Sequence, residues 1–338
     1  MNHQRATTET FRPTASTEMI ARRSQLLRTI RDFFHTRDFL EVETPLLSRD
    51  SVIDLHLDPL PVTLFKDPVA YKAGPTYWLQ TSPEFGMKRL LVTGIPAIYQ
   101  ITRAFRGGET GPLHNPEFTM LEWYRVGDNY AQGMSLLADF AQQVIARGEP
   151  VVMTFDEAFV KYAGLSALSA TSLELSHKVL EIPQIAGLLD GEEVESSFDR
   201  DFLIDLLLTQ LVQPQLGTAA PVILCDFPAT QSALARVRET SPPVAERFEL
   251  YVDGIELANG YHELLDAEVL QKRNAIAQSQ RKSEGKYAPP MESELLRAMQ
   301  ASALPACSGT AVGVDRLLMV ISQARSIDEV ITFPIDRA

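Results

Sequence analysis

The chain reads as an α+β fold, an antiparallel sheet flanked by helices. Several alternating runs follow one another through short turns, as hairpins do and parallel crossovers do not. Asp253-Gly254, set between two such runs, is a strong signal for a two-residue hairpin. Four longer stretches carry helical character between the strands.

In chain order, residues 1–16 are rich in Thr and read as a flexible tail. A helix begins near Thr17, with Ile20, Leu27, Ile30 and Phe34 at helical spacing. Arg22, Arg23, Arg28 and Arg31 occupy its other faces and read as solvated surface. At Phe39 the period switches to two, and Pro45 ends the strand. Further strands are expected at Tyr77–Thr81, Ala97–Phe105, Glu117–Arg125, Val222–Phe227, Glu249–Leu257 and Gly309–Val314. Helices are expected at Tyr130–Ala146, Asp199–Val212, Ala267–Glu284 and Ser293–Ala301, and Thr154–Gln215 reads as a helical insertion.

With 338 residues and 45% hydrophobic content, the chain can bury one large core or two ordinary ones. No apolar run approaches a membrane span, and no secretory signal opens the chain. Cys225 and Cys307 lie among apolar or small residues, which suits a reducing compartment, so a cytoplasmic location is expected. A net charge of −13 lowers the expectation of binding nucleic acid through phosphates.

Three stretches carry chemistry. The first runs from Phe105-Arg106-Gly107-Gly108-Glu109 through His114-Asn115-Pro116-Glu117-Phe118, a strand, a Gly-rich loop and a returning strand. Its glycines permit a sharp turn or close approach to a ligand. Along the returning strand, Phe118, Met120, Glu122 and Tyr124 share a face. A carboxylate among aromatics is costly unless paired, so Glu122 requires a cationic partner, either an internal ion pair or a lysine-type ammonium that Tyr124 also accepts. The second is the hairpin around Asp253-Gly254, whose turn sets Tyr251 opposite Glu256 and Glu249 opposite Ala258. Glu249 and Glu256 are then diagonal neighbours on one face, suited to share Mg²⁺ or to form a solvated acidic surface. Asn259 joins that face only through a bulge at Gly260. The third is Gly309–Leu317, small residues leading into an apolar helix, a weak signal for a phosphate or base platform.

Together these stretches resemble the three signature motifs of class II aminoacyl-tRNA synthetases, in the lysyl branch. The first motif matches Phe39–Pro45, the second Phe105–Glu122, the third Gly313-Val314-Asp315-Arg316, and Ile255–Leu264 is nearly a complete lysyl-type run. The resemblance spans Thr17 to the C-terminus and implies one catalytic domain over 17–338, with the insertion at about 154–215, an antiparallel sheet and a homodimer. It implies that Arg106 is catalytic, holding the ATP α-phosphate and the substrate carboxylate. Gly107, Gly108, His114, Asn115, Phe118, Glu256, Leu257, Gly313 and Arg316 would join Arg106 in binding ATP, with adenine between Phe118 and Arg316. Glu249 and Glu256 would hold Mg²⁺. Ser82, Pro83, Glu84, Glu122, Tyr124, Asn259, Glu263 and Ala311 would line the amino-acid pocket.

Departures from the lysyl pattern sharpen the expectation. Gly108 stands where the family has a Glu that reads adenine, so Glu109 through a shifted loop, or the backbone alone, would take that role. Ala311 replaces a pocket glycine. Only Met1–Asp38 precedes the first motif, too short for an anticodon-binding barrel, so anticodon recognition of tRNA is not expected. These features resemble the elongation factor P–(R)-β-lysine ligases, which move (R)-β-lysine from its adenylate to a lysine of elongation factor P. Arg22, Arg23, Arg28 and Arg31 would offer the factor a docking face. The rival readings are a compact tRNA-charging enzyme, a free-standing amide ligase and a non-catalytic regulatory relative.

Overall fold

Ser16 starts the first helix by accepting the Met19 N–H, satisfying a donor that the helix cannot. In the computed structural model, which describes residues 11–183, 185 and 198–338, that helix, α1, spans Thr17–His35. The elements that follow are β1 (Leu40–Glu41), β2 (Leu47–Ser48), β3 (Leu60–Thr63), β4 (Thr76–Leu79), α2 (Glu84–Val92), β5 (Ala97–Phe105) and β6 (Glu117–Val126). Then come α3 (Tyr130–Val144), β7 (Val151–Thr154), α4 (Phe155–Tyr162), α5 (Ser172–Leu180), α6 (Arg200–Leu207), β8 (Val222–Pro228), β9 (Val237–Arg238), β10 (Val244–Val252) and β11 (Ile255–His262). The chain closes with α7 (Ala267–Ser283), α8 (Glu294–Ala301), β12 (Cys307–Gly313) and α9 (Val314–Ser322). Among the described residues, no helix is long and apolar enough to cross a membrane.

The chain divides into two units, residues 1–124, 266–305 and 312–338 in the first, residues 125–265 and 306–311 in the second. In the first, β1, β5 and β6 are successive neighbours, and β2, β4 and β3 form a separate antiparallel sheet. Its core gathers on Phe34 of α1, whose ring lies 4.6 Å from Tyr99, 5.1 Å from Phe39 and 5.2 Å from Trp123. The buried stripe of α1 is Leu26, Ile30, Phe33 and Phe34, whereas Ile20 is exposed and Leu27 only half-buried. The expected stripe was therefore rotated: burying Phe33 with Phe34 removes more apolar area from water than Ile20 and Leu27 would. Arg23 corrects the solvated-surface reading of its face, because Nη1 donates to Asp315 Oδ1 and Nη2 to Thr119 Oγ1, each at 2.6 Å. Arg22 and Arg31 stay outside, paired with Glu18 and Glu41. Residues 1–10 of the expected tail lie outside the described residues, while Thr14 Oγ1 donates to the Ile331 carbonyl at 2.8 Å.

In the second unit the strands run β12, β11, β10, β8, β7, with β9 beside β10. Helices α4, α5 and α6 cover β8, burying Phe155, Phe159, Leu175, Leu203 and Leu207 against Leu224 and Phe227. Thr154 and Thr171 open α4 and α5 through reciprocal capping with Glu157 and Glu174. Part of the expected insertion, 184 and 186–197, lies outside the described residues. The helix expected to run to Val212 ends at Leu207 and continues as a wider turn over Leu208–Val212.

The sheet is mixed rather than antiparallel. β1 pairs in parallel with β5 and β7 with β8, because long connections, not hairpins, join each pair. The alternation over Phe39–Pro45 yields a strand only at Leu40–Glu41. Phe39 turns into the Phe34 cluster and Thr44 hydrogen-bonds Gln100, so tertiary partners outweigh the period there.

Candidate active site

In the first unit, β5 and β6 bracket the Arg106 loop. Arg106 N donates to the Pro116 carbonyl at 2.9 Å, and its guanidinium lies 5.0 Å from the Phe118 ring centroid. Nη1 stands 3.8 Å from Glu109 Oε1, so Glu109 is drawn to Arg106 while Gly108 turns the chain at φ +78°. The close approach that Gly107 permits is to the protein itself: its N–H reaches the Asp58 carbonyl at 2.7 Å. His114 sits beside Arg316, whose Nη2 is 2.6 Å from His114 Nε2. Loss of solvent, then the charge of Arg316, lowers the His114 pKa, so the ring is neutral and Nε2 accepts from the guanidinium. Asn115 is committed to the backbone, Nδ2 donating to the Glu117 carbonyl at 2.6 Å and Oδ1 accepting the Ile335 N–H at 2.9 Å. Gly313 precedes α9 as its cap, and Asp315 ties that helix to Thr119 N at 2.6 Å and to Arg23.

The same unit buries Glu122. Its Oε2 accepts from Ser82 Oγ at 2.8 Å and its Oε1 from Tyr124 Oη at 2.5 Å. Ser82 Oγ also accepts the Glu84 N–H at 3.0 Å, opening α2 after Pro83. Along α2, Glu84 and Lys88 are one turn apart and form a buried ion pair. Burial, then the nearby Glu84 charge, raises Glu122 to about 8, against the opposing effects of Tyr124, Ser82 and Lys88. Two buried carboxylates thus share one ammonium. With all three ionised, the cluster carries one negative charge in excess, which a ligand ammonium would neutralise. Lys88 and α2 were not foreseen, although Pro83 followed by Glu84 and Lys88 four apart is a legible helix start.

In the second unit, β10 and β11 form the expected hairpin, with Val252 opposite Ile255 and Tyr251 opposite Glu256. The register then shifts between Leu250 and Tyr251, so Glu249 faces Asn259 rather than Ala258. The bulge is at Leu257, not Gly260, and it brings Asn259 to the carboxylate face. Asn259 Nδ2 donates to Glu249 Oε1 at 3.1 Å. Gly260 answers a different need: a Cβ there would lie 2.3 Å from the Phe248 ring. Glu249 is buried and closed by three donors, Arg247 Nη2 and Tyr251 Oη each at 2.5 Å and Asn259. Arg247 and Tyr251 escaped the reading of the sequence as partners of Glu249, although strand alternation puts both on its face, two residues to either side. β12 runs beside β11, with Glu263 N donating to the Cys307 carbonyl at 3.1 Å and Gly260 set against Thr310. Ala311 lies in β12, the strand beside β11. Glu263 is buried, its carbonyl accepting from Arg236 Nε at 2.9 Å.

These folds and buried acids, set on motifs in the expected order, define a class II synthetase core. The chain belongs to the class II tRNA synthetase family (D, K and N), which matches residues 3–337. It is also 42% identical over 332 residues to an elongation factor P–(R)-β-lysine ligase of Vibrio cholerae serotype O1, a match covering 98% of this chain and 100% of that protein.

The family implies a divalent cation beside the nucleotide phosphates. Among the described residues, no group of three or more His, Cys, Asp or Glu side chains is arranged to hold a metal. The hairpin nevertheless offers hard oxygen donors on one face, Glu249 and Glu256, and Asn259 Oδ1 is buried without a hydrogen-bond partner. Such a donor set fits Mg²⁺, which takes few carboxylates and completes its shell with phosphate oxygens and water.

Proposed function

We propose that this protein activates (R)-β-lysine with ATP and transfers it to a lysine side chain of elongation factor P. The buried cluster of Glu84, Glu122 and Lys88 carries the substrate reading, since its excess carboxylate suits an ammonium at the end of an aliphatic chain. Full-length likeness to a ligase with that activity in its name supports the reaction. Ser82, Pro83, Glu84, Glu122 and Tyr124 bind the amino acid.

In the first step a carboxylate oxygen of the substrate attacks the α-phosphorus of ATP, and the bond to the bridging oxygen breaks as pyrophosphate leaves. Arg106 holds the α-phosphate and the attacking carboxylate, so developing charge meets a cation already in place. Gly107, Gly108 and neutral His114 line the nucleotide, Phe118 and Arg316 flank the base, and Gly313 supplies a backbone wall. Asn115 holds the loop from behind through its two backbone bonds. Glu249 and Glu256 would hold Mg²⁺, which neutralises phosphate charge as a Lewis acid. In the second step the acceptor amine attacks the mixed-anhydride carbonyl, an amide forms and AMP departs. The work belongs to a cytoplasmic homodimer, and Leu40 in the first motif and Leu46 just after it are exposed apolar groups that a second copy would cover.

The deciding assay offers (R)-β-lysine or L-lysine with ATP and Mg²⁺, and elongation factor P and tRNA together as acceptors. A mass gain on the factor, with β-lysine preferred, is expected, whereas charged tRNA beside an unmodified factor overturns the reading. Arg106→Ala should slow ATP–pyrophosphate exchange by roughly 3 kcal/mol of transition-state stabilisation, and an unchanged rate removes Arg106 from its role.

A further inference from the structure

Arg281 in α7 is one of the largest side chains that the protein buries completely, at 1% exposure. A guanidinium in that setting is costly unless its donors are placed. Here they converge on one short loop. Nη1 donates to the carbonyls of Asp54, Leu57 and Leu55 at 2.8, 3.0 and 3.3 Å, and Nη2 to Asp58 Oδ1 at 2.5 Å. Nε donates to the Tyr287 carbonyl at 2.8 Å, and Lys286 Nζ adds a contact to the Leu55 carbonyl at 3.2 Å.

The loop touches the candidate site through its backbone. The Asp58 carbonyl accepts the Gly107 N–H at 2.7 Å, next in the chain to Arg106. A Cβ on Gly107 would lie 3.1 Å from the Leu60 side chain and 3.2 Å from that carbonyl oxygen, so the two segments are already in contact. Arg106 itself is anchored on its other side, by the bond from its N–H to the Pro116 carbonyl at 2.9 Å. The chain of contacts is therefore Arg281, the 54–58 loop, Gly107, Arg106.

We infer that Arg281 is a positioning residue for Arg106: it fixes the 54–58 loop, and the Asp58 carbonyl of that loop sets where the Arg106 backbone stands. The kinetic consequence rests on the adenylation reading above. A second consequence, the protection of the Gly107 amide from hydrogen exchange, does not depend on it.

The test compares wild-type, Arg281→Lys and Asp58→Asn full-length protein. Hydrogen–deuterium exchange is read on peptides spanning 104–110, and ATP–pyrophosphate exchange and thermal unfolding are measured in parallel. Asp58 is half exposed, so its variant carries the test if Arg281→Lys does not fold. The Gly107 amide should exchange at least about tenfold faster in the variants. In folded protein, kcat/KM for ATP should fall about tenfold to a hundredfold, as a small misplacement of a positioned group does. Lower thermal stability with wild-type exchange at Gly107 and wild-type ATP kinetics would assign Arg281 a purely structural role and overturn the inference. A wild-type protein without pyrophosphate exchange would instead sink the adenylation reading, and amide exchange at Gly107 would still decide the inference.

Discussion

Glu122 in the first unit and Glu249 in the second are about equally buried, at 2% and 3% exposure, yet the chain surrounds them differently. Glu249 receives a guanidinium, a phenol and an amide, all from its own hairpin. Glu122 receives two hydroxyls, while the one buried ammonium nearby pairs with a second acid, Glu84. Glu249 therefore has a cation supplied by its own hairpin before any metal joins it. Glu122 instead shares the Lys88 ammonium with Glu84, and burial together with the Glu84 charge raises its pKa to about 8.

The comparison breaks most severely if Arg247 is removed. Arg247→Met should strand Glu249 as an uncompensated buried charge and cost roughly 3–5 kcal/mol of stability, read from the urea midpoint. A shift no larger than that of an ordinary surface substitution would show that Arg247 is not what neutralises Glu249. Glu122→Gln keeps the shape and should leave the fold intact. Amino-acid affinity, read as KM in pyrophosphate exchange, should nevertheless weaken about tenfold to a hundredfold, the worth of a charge-assisted contact. Equal affinity would mean that the substrate ammonium goes elsewhere.

A pH series sharpens the contrast. Unfolded, Glu122 titrates in the usual carboxylate range, whereas burial holds it at about 8 in the folded chain. Between those values the folded state keeps a proton that the unfolded state has lost, so this group's contribution to stability falls as pH rises through that window. Glu122→Gln should flatten that part of the slope. Binding of the amino acid should expel the proton below about pH 8, visible as a buffer-dependent heat of binding. Identical slopes in the wild type and the variant would assign the titration to another group. The smallest effects come from the two phenols. Tyr251→Phe should lower stability by about 1 kcal/mol, and Tyr124→Phe should weaken amino-acid binding by a similar amount. The reverse pattern would exchange the roles given to the two glutamates.

Much of the site was legible because it depends on local rules. Strand period alone put Glu122 with Tyr124, and the Asp253-Gly254 turn put Tyr251 opposite Glu256. Register beyond the turn was not legible, since a single extra residue at Leu257 exchanges Ala258 for Asn259 opposite Glu249. Gly107 was read as permitting a sharp turn or a close approach to a ligand, and its contact with the Asp58 carbonyl, far away in sequence, was not legible.

By itself, then, the sequence determined the family, the order of the motifs, the hairpin and the need of Glu122 for a cation, because periodicity, turn chemistry and the cost of buried charge act over a few residues. Only the tertiary structure decided which cation each buried acid meets. Arg23 reaches Asp315, Lys88 takes Glu84 while Glu122 is left with hydroxyls, and Arg281 reaches the 54–58 loop. Charge pairing of that kind follows distance in space, which spacing along the chain does not encode.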